Sequence, residues 1–253
     1  MRDFLDLPRP LAFAHRGGGA HNPENSWRAF EHAIGLGYSY LETDAHATAD
    51  GVLVAFHDRT LDRVTDRAGR IADLPYGEVK AARIAGTEPI PLVEDLIGAW
   101  PQARFNIDVK DEPAIGPLAE VLRRTAAWDR VCITSFSGHR LAAVRRALPR
   151  PVCMATSPLG VAALRLAVPR RPLAAGLRRI WFRAAQIPVR MATESVLRRA
   201  HAAGLQVHVW TVNDRRAMSD LLDLGVDGIM TDETAALRDV LEARGQWHPR
   251  PAR

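Results

Sequence analysis

Two hydrophobic patterns alternate along the 253-residue chain. Short apolar runs that end at polar residues predict β-strands, and apolar residues at three- and four-residue spacing predict amphipathic helices. The predicted strands are residues 11–14, 40–47, 52–56, 104–110, 131–136, 152–156, 186–189, 206–212 and 228–230. Helical spacing covers residues 27–34, 92–97, 118–122, 141–148, 193–203, 218–222 and 237–241, and Asn25 or Ser26 is the expected cap of the first helix.

This alternation predicts a single α/β domain over residues 1–253, because strands separated by helices form parallel sheets. Asp50-Gly51 predicts a tight turn, so the run 52–56 is a hairpin arm of the second strand. Eight strand–helix units then remain, and a chain of this length favours a closed (β/α)8 TIM barrel over a doubly wound sheet. Residues 59–90 are polar and irregular. We expect them to form a small insertion after the second strand, over the barrel mouth.

Composition and charge narrow the function classes only slightly. The chain carries 34 basic and 29 acidic residues, a net charge of +5, with the arginine excess concentrated after residue 120. A nucleic-acid surface is one interpretation, but no basic groove interleaved with aromatic residues is visible, and a solvated arginine-rich surface is favoured. The chain has two cysteines, Cys132 and Cys153, which are too few for a disulfide framework and do not have the spacing of metal ligands. We therefore expect both to be buried free thiols.

The N-terminus has acids and prolines where a signal peptide needs an apolar core, and no apolar run approaches the roughly 20 residues of a membrane span. A cytoplasmic location is therefore predicted.

Carboxylates at alternate strand positions suggest a cation site. Glu42 and Asp44 share one face of a predicted strand, and Asp108 and Lys110 share a face of the next barrel strand. If the two strands are neighbours, three carboxylates converge, and like charges that close imply a raised pKa or a bound cation. Oxygen ligands suit Mg²⁺ or Ca²⁺. The alternative is a set of surface carboxylates at strand ends.

Two histidines end apolar runs near these acids. A lone histidine at such a place is more often structural, but His15 and His57 together fit an acid/base pair, because histidine titrates near neutral pH. Arg16, beside a run of three glycines, suits an anion such as phosphate. The glycine run does not match nucleotide-binding loop patterns.

Trp210 and His208 alternate on one strand, so both can point into the barrel. Trp210 either packs against the carbon chain of a substrate or fills the barrel core. The remaining histidines are expected to be structural or on the surface: His21, His32, His46, His139, His201 and His248. Among these, His46 shares a strand face with Asp44.

In order and spacing, these residues match a known family over nearly the whole chain. The matching segments are HRG (15–17), PENS (23–26), ExD (42–44), TADG (48–51), HD (57–58), PLVEDL (91–96), NIDVK (106–110), SF (135–136), WTVN (210–213) and VDGIMTD (226–232). The chain resembles the glycerophosphodiester phosphodiesterases. The resemblance implies metal-dependent hydrolysis of a glycerophosphodiester to an alcohol and sn-glycerol 3-phosphate.

The resemblance also implies roles for individual residues. Metal ligands for one Mg²⁺ or Ca²⁺ ion would be Glu42, Asp44 and Asp108, and the acid/base pair would be His15 and His57. Phosphate contacts would be Arg16 and Lys110, and Trp210 would be a wall of the substrate pocket. In the mechanism that the family implies, the neighbouring glycerol hydroxyl attacks phosphorus. One histidine removes its proton and the other protonates the leaving alcohol.

The chain departs from the family in ways that bear on these roles. Relatives usually have glutamate where Asp108 stands, so the ion must shift or a water must intervene. PENS replaces PENT, which should matter little. Residues 158–183 resemble the basic, apolar segment of relatives that act on lysophospholipids. This segment either lies on an anionic membrane or forms an ordinary fifth barrel helix with its loop, which is favoured.

Three functional hypotheses therefore stand. The leading one is a phosphodiesterase that acts on small glycerophosphodiesters. The alternatives are a lysophospholipase D at a membrane surface and a non-catalytic binding relative, and the presence of both histidines and all three carboxylates argues against the last.

Overall fold

The computed structural model describes residues 4–157, 160–162 and 181–249. Its strands are β1 (Leu11–Ala14), β2 (Tyr40–Ala47), β3 (Leu53–Ala55), β4 (Arg83–Ile84), β5 (Glu88–Pro89), β6 (Arg104–Val109), β7 (Val131–Thr134), β8 (Cys153–Ala155), β9 (Phe182–Pro188), β10 (Gln206–Trp210) and β11 (Gly228–Thr231). Its α-helices are α1 (Trp27–Gly35), α2 (Tyr76–Ala81), α3 (Val93–Ala99), α4 (Ile115–Thr125), α5 (Gly138–Ala147), α6 (Glu194–Ala202), α7 (Arg215–Leu224) and α8 (Thr234–Ala243).

Eight parallel strands close into the predicted barrel. Their order around the cylinder is β1, β2, β6, β7, β8, β9, β10 and β11, and β1 pairs with both β2 and β11. β3 pairs antiparallel with β2 through the turn at Asp50 and Gly51, as predicted. Ser26 caps α1 by accepting a hydrogen bond from the N–H of Ala29, which decides between the two candidate caps.

The two faces of the strands are filled differently. Apolar residues on the outer face, such as Leu41, Phe105 and Ile107, pack against the helices in the largest apolar cluster. Alternate residues point inward, so the interior receives the polar side chains of β2 and β6. Its apolar part comprises Phe4, Leu5, Leu11, Phe13, Tyr40, Cys132, Cys153, Ala155, Ala184 and Met230. Cys132 and Cys153 are buried on neighbouring strands, as expected.

The segment before β1 lies across the amino-terminal end of the barrel, and we call this end the floor. Phe4 is buried, and its carbonyl accepts hydrogen bonds from the Tyr40 hydroxyl at 2.7 Å and from Arg104 at 2.6 Å. Arg104 also pairs with Asp6. The opposite, carboxyl end of the strands is the mouth.

Residues 59–90 are more ordered than their polar sequence predicts. They contain α2 and the β4–β5 hairpin, and a separate apolar cluster packs here, comprising Val54, Phe56, Leu61, Ile71, Val79, Ala82, Ile84 and Ile90. The apolar residues are too widely spaced in the sequence for a periodic pattern. They meet only because the chain folds back on itself.

β9 begins at Phe182, four residues before the predicted start, so Phe182 and Arg183 belong to a strand and not to the preceding loop. The sequence misses this start because the basic, apolar residues before it blur the boundary. Most of the segment 158–183 lies outside the described residues. Within the described ranges, no helix combines the length and the apolar character needed to cross a membrane.

Candidate active site

The mouth gathers the residues that the sequence singles out. Asp44 and Asp108 face each other in register on the neighbouring strands β2 and β6, and Glu42 lies two residues before Asp44. All three side chains are buried, with residue exposures of 5% or less. The ammonium of Lys110 lies 2.7 Å from Asp44 and 2.7 Å from Asp108. The predicted approach of Asp44 to Asp108 is therefore present, with a lysine between the two carboxylates.

Burial and mutual repulsion make these acids unequal. Burial, with the charge of Asp44, raises the pKa of Glu42. Burial also raises the pKa of Asp108, more than Lys110 lowers it. For Asp44 burial acts in the same direction, but Lys110 and Arg16 outweigh it and lower its pKa. Asp44 is therefore the acid best held as a carboxylate, because two cations face it.

His15 follows β1 and lies between two acids. Its Nδ1 is 2.7 Å from Asp232, the residue after β11, and its Nε2 is 3.9 Å from Glu42. Burial lowers the pKa of His15, but the charges of Glu42 and Asp232 outweigh burial and the net shift is upward.

His57 follows β3 and has a different surrounding. Its Nδ1 is 2.6 Å from Asp58. Burial lowers the pKa of His57, and Lys110 adds to this effect, while Asp44 and Asp58 oppose it. Asp58 also accepts a hydrogen bond from Arg63 at 2.5 Å, which draws part of its charge away from the imidazole.

Backbone geometry sets the position of Arg16. Its φ of 51° lies in the left-handed region, and its N–H donates to Glu42 at 2.9 Å. Its guanidinium donates to Glu24 at 3.1 Å and lies 3.4 Å from Asp44. Gly17 has a φ of 82°, and a Cβ at this position would lie 2.8 Å from the Cβ of Ala29. Glycine is required here because the loop packs directly on α1.

Several partners in the site were not predicted. Asn25 has a φ of 56°, donates to Asp44 at 3.0 Å and accepts from Thr43 at 2.7 Å. Arg63, from the insertion, donates to Glu24 at 2.6 Å as well as to Asp58. The sequence held a signal for two of the partners. Asp232, the partner of His15, stands directly after the last strand, and Glu24, the partner of Arg16, is the acid of the PENS segment. Nothing in the sequence indicates Arg63.

Trp210 ends β10 at the rim of the mouth. Its ring packs edge-on against Phe136 at 5.7 Å, and the Phe136 ring lies 5.8 Å from the ammonium of Lys110. Phe136 is 63% exposed. His208, two residues earlier, is fully buried inside the barrel and packs on Phe13. Both side chains of this strand therefore face inward, and only Trp210 is near the site.

A groove of about 470 Å³ lies between the glycine loop and the insertion. Glu24 and Arg63 line it and also contact the site, through Arg16 and Asp58 respectively. It is lined by Gly19, Asn22, Pro23, Glu24, Arg63, Val64, Thr65, Asp66, Ile84, Ala85 and Gly86.

The donor set fits a hard divalent cation in its chemistry. Glu42, Asp44 and Asp108 supply carboxylate oxygens, and Oδ1 of Asp108 is buried without a hydrogen-bond partner among the described residues. In the same part of the chain, no three acidic, histidine or cysteine side chains form a ready-made ligand group. The ammonium of Lys110 lies between Asp44 and Asp108, so an ion at this place would require Lys110 to release one of them.

Comparison with known proteins gives one consistent family. Residues 15–236 match the model of the glycerophosphoryl diester phosphodiesterase family. The chain is 41% identical over 257 residues to the probable glycerophosphodiester phosphodiesterase 2 of Mycobacterium tuberculosis, covering 97% of this chain and 96% of that one. It is 26% identical to lysophospholipase D GDPD1 of Homo sapiens, covering 90% and 85%.

A solved structure shares the fold. The glycerophosphodiester phosphodiesterase of Agrobacterium tumefaciens superimposes with a TM-score of 0.77 at 20% identity, covering 92% of this chain and 99% of that one.

Proposed function

Because the chain belongs to the glycerophosphoryl diester phosphodiesterase family, we propose that it hydrolyses glycerophosphodiesters to an alcohol and sn-glycerol 3-phosphate. One observation carries this proposal. His15 and His57 both lie at the mouth, and each has its Nδ1 held by a carboxylate, Asp232 or Asp58. A carboxylate at Nδ1 keeps a proton there and leaves Nε2 to exchange protons with a substrate.

The two histidines share the proton transfers. One takes the proton from the glycerol hydroxyl that attacks phosphorus, and the other gives a proton to the alcohol that leaves, so that a cyclic glycerol phosphate forms. Water then attacks phosphorus and opens the ring to sn-glycerol 3-phosphate, and in this step the two histidines exchange the roles of acid and base. Each transfer by a positioned imidazole contributes roughly 10²–10⁴ in rate. The cations that hold the phosphate are Arg16 and Lys110, which lie on either side of Asp44. A guanidinium fork and an ammonium suit the oxygens of a phosphodiester.

The residues that would hold one Mg²⁺ or Ca²⁺ ion are Glu42, Asp44 and Asp108. When bound, the ion offsets negative charge on the phosphoryl oxygens in the transition state. Trp210 and Phe136 form an apolar wall beside Lys110, on which the carbon chain of a substrate can pack.

The decisive test is release of sn-glycerol 3-phosphate from glycerophosphocholine by the purified protein. The assay is run after EDTA treatment and again with Mg²⁺ or Ca²⁺ restored. Metal-dependent release supports the proposal and identifies the accepted ion. Release that persists at the same rate after EDTA contradicts the metal role, and no release with either ion contradicts this substrate.

A second candidate is a lysophospholipase D. The relative from Homo sapiens carries that name, and the exposed ring of Phe136 offers an apolar surface at the mouth. Its test is release of lysophosphatidic acid from lysophosphatidylcholine, together with sedimentation on anionic vesicles. If the protein neither sediments with the vesicles nor cleaves lysophosphatidylcholine, this candidate is excluded. The proposed membrane contact of 158–183 falls mostly outside the described residues.

The remaining proposals concern the domain organisation, the cellular location and the partners of the chain. We propose that residues 1–253 act as one domain in the cytoplasm, with 59–90 inserted over the mouth and without a nucleic-acid partner. Arg63 supports the place of the insertion, because it joins 59–90 to Glu24 and Asp58 in the site. Filter binding that weakens steeply with salt would contradict the absence of a nucleic-acid partner.

A further inference from the structure

A second histidine–aspartate pair lies beside His57. His46, on β2, is only 1% exposed. Its Nδ1 is 2.7 Å from a carboxylate oxygen of Asp111, and its Nε2 is 3.2 Å from the backbone carbonyl oxygen of His57. The imidazole therefore bridges the end of β6 and the loop that carries His57.

The direction of the second hydrogen bond follows from the acceptor. A carbonyl oxygen can only accept, so the N–H in this hydrogen bond is that of His46 Nε2, which donates to the backbone carbonyl of His57. On the other side of the ring, Nδ1 is held 2.7 Å from a carboxylate oxygen of Asp111. The ring is therefore held at both nitrogens, and Nε2 stays directed at the carbonyl.

Asp111 ties this arrangement to rigid elements. Its second oxygen accepts a hydrogen bond at 3.2 Å from the N–H of Ala114, immediately before α4. His46 itself belongs to β2, which pairs with β6 over six residues. By contrast, the imidazole of His57 is held by Asp58, whose other partner is the half-exposed Arg63. The backbone anchor at His46 is the more rigid of the two restraints on His57.

We infer that His46 is a positioning residue that holds the backbone of His57, and through it the imidazole, at the mouth. This inference rests on the proposed function, because it assigns His57 a proton transfer. Its effect is one of geometry, since a misplacement of about 1 Å at a reacting group can lower turnover about 100-fold.

Two substitutions separate the two hydrogen bonds of His46. In His46→Gln the amide nitrogen replaces Nε2, so the bond to the His57 carbonyl can form and the bond to Asp111 is lost. In His46→Asn the shorter amide replaces Nδ1, so the bond to Asp111 can form and the bond to His57 is lost. Both variants remove the ring and leave a neutral amide, and a general packing role predicts similar losses in both.

The measurement is kcat and KM for glycerophosphocholine, with the thermal midpoint of each variant recorded alongside. We expect His46→Asn to lower kcat roughly 10- to 100-fold with little change in KM, since Arg16 and Lys110 still bind the phosphate. His46→Gln is expected to retain kcat within about fivefold of the parent. The exposed His32 on α1, changed to Asn, is the matched control and should leave both constants unchanged.

Equal losses of kcat in the Gln and Asn variants would overturn the inference, as would a smaller loss in Asn. An inactive parent enzyme would contradict the proposed function instead, so the two failures are distinguishable. If neither variant folds, Asp111→Ala provides the second test, because it removes only the partner of Nδ1 and leaves Nε2 to bond to the His57 carbonyl, as His46→Gln does. The inference expects kcat within about fivefold of the parent at unchanged KM, and a roughly 10- to 100-fold loss of kcat in this variant overturns it.

Discussion

At the floor of the barrel Arg104 is surrounded by oxygen acceptors, whereas at the mouth three carboxylates share the nitrogens of Arg16 and Lys110. Arg104 donates to the carbonyl of Phe4 and to the Tyr40 hydroxyl, and it pairs with Asp6. At the mouth, an oxygen of Asp108 and Nε of Arg16 are buried without a hydrogen-bond partner among the described residues.

The difference in hydrogen bonding between floor and mouth follows from the different roles of these two ends of the barrel. Buried polar groups with full hydrogen bonding stabilise a fold, and unsatisfied ones destabilise it by about 1–3 kcal/mol each. The floor therefore contributes stability, and the mouth retains polar atoms that a phosphodiester or a cation can satisfy. Changes at the mouth should lower turnover without unfolding the protein, and changes at the floor should do the reverse.

The largest expected effect is at the mouth. Changing His57 or His15 to Ala removes one proton transfer and should lower kcat roughly 10²–10⁴-fold. Because His57 is 31% exposed at its side chain, the thermal midpoint should change little. The rate of sn-glycerol 3-phosphate release gives kcat, and thermal unfolding gives the midpoint. His139→Ala, at an exposed surface histidine, is the control. Unchanged turnover in either site variant would remove that histidine from the mechanism.

The interior between mouth and floor gives a pH-dependent prediction. Burial lowers the pKa of His208 to about 4, from 6.5 for a free histidine. The folded state therefore holds a neutral ring, and the unfolded chain takes up a proton as pH falls below 6.5. This stabilisation is complete above pH 6.5 and is lost as pH falls toward 4. By linkage the gap corresponds to roughly 3 kcal/mol of unfolding free energy.

Comparison with His208→Gln isolates this contribution, because every other titrating group is common to both proteins. The amide can still donate to Gln206, which His208 contacts at 3.2 Å. Urea unfolding from pH 7 to pH 4 should show a shallower loss of stability in the variant than in the parent. Parallel curves for the two proteins would mean that His208 does not contribute to the acid sensitivity.

A smaller effect is expected at the floor. Arg104→Met leaves the Phe4 carbonyl and the Tyr40 hydroxyl without the guanidinium, and the free energy of unfolding should fall by about 2 kcal/mol. Tyr40→Phe removes only the hydroxyl and should cost about 1 kcal/mol. Denaturant unfolding gives both values, and kcat per folded molecule should not change. If Arg104→Met instead lowers kcat while stability is unchanged, the proposed division between floor and mouth is wrong.

The sequence can predict features that depend on neighbouring residues, but not contacts between distant parts of the chain. Alternating apolar and polar residues in the strands place Glu42, Asp44 and Asp108 inside a barrel, because inward direction is a local property of a strand. Partners that arrive from elsewhere are not local. Asp232 lies 217 residues from His15, and the partner of His46 is 65 residues away. No pattern within one strand and its helix contains these pairings.

The smallest expected effect tests how the mouth accommodates a cation. Asp108 stands where the resemblance to the family implies a glutamate. Its Oδ2 lies 2.7 Å from Lys110, which also contacts Asp44, and its Oδ1 has no hydrogen-bond partner among the described residues. In Asp108→Glu the added methylene lets the carboxylate extend past the ammonium. Binding of Mg²⁺ or Ca²⁺, measured by calorimetry without substrate, should tighten by about tenfold or less, since one ligand moves and none is added. Weaker binding in this variant would mean that the aspartate and the lysine are matched to each other.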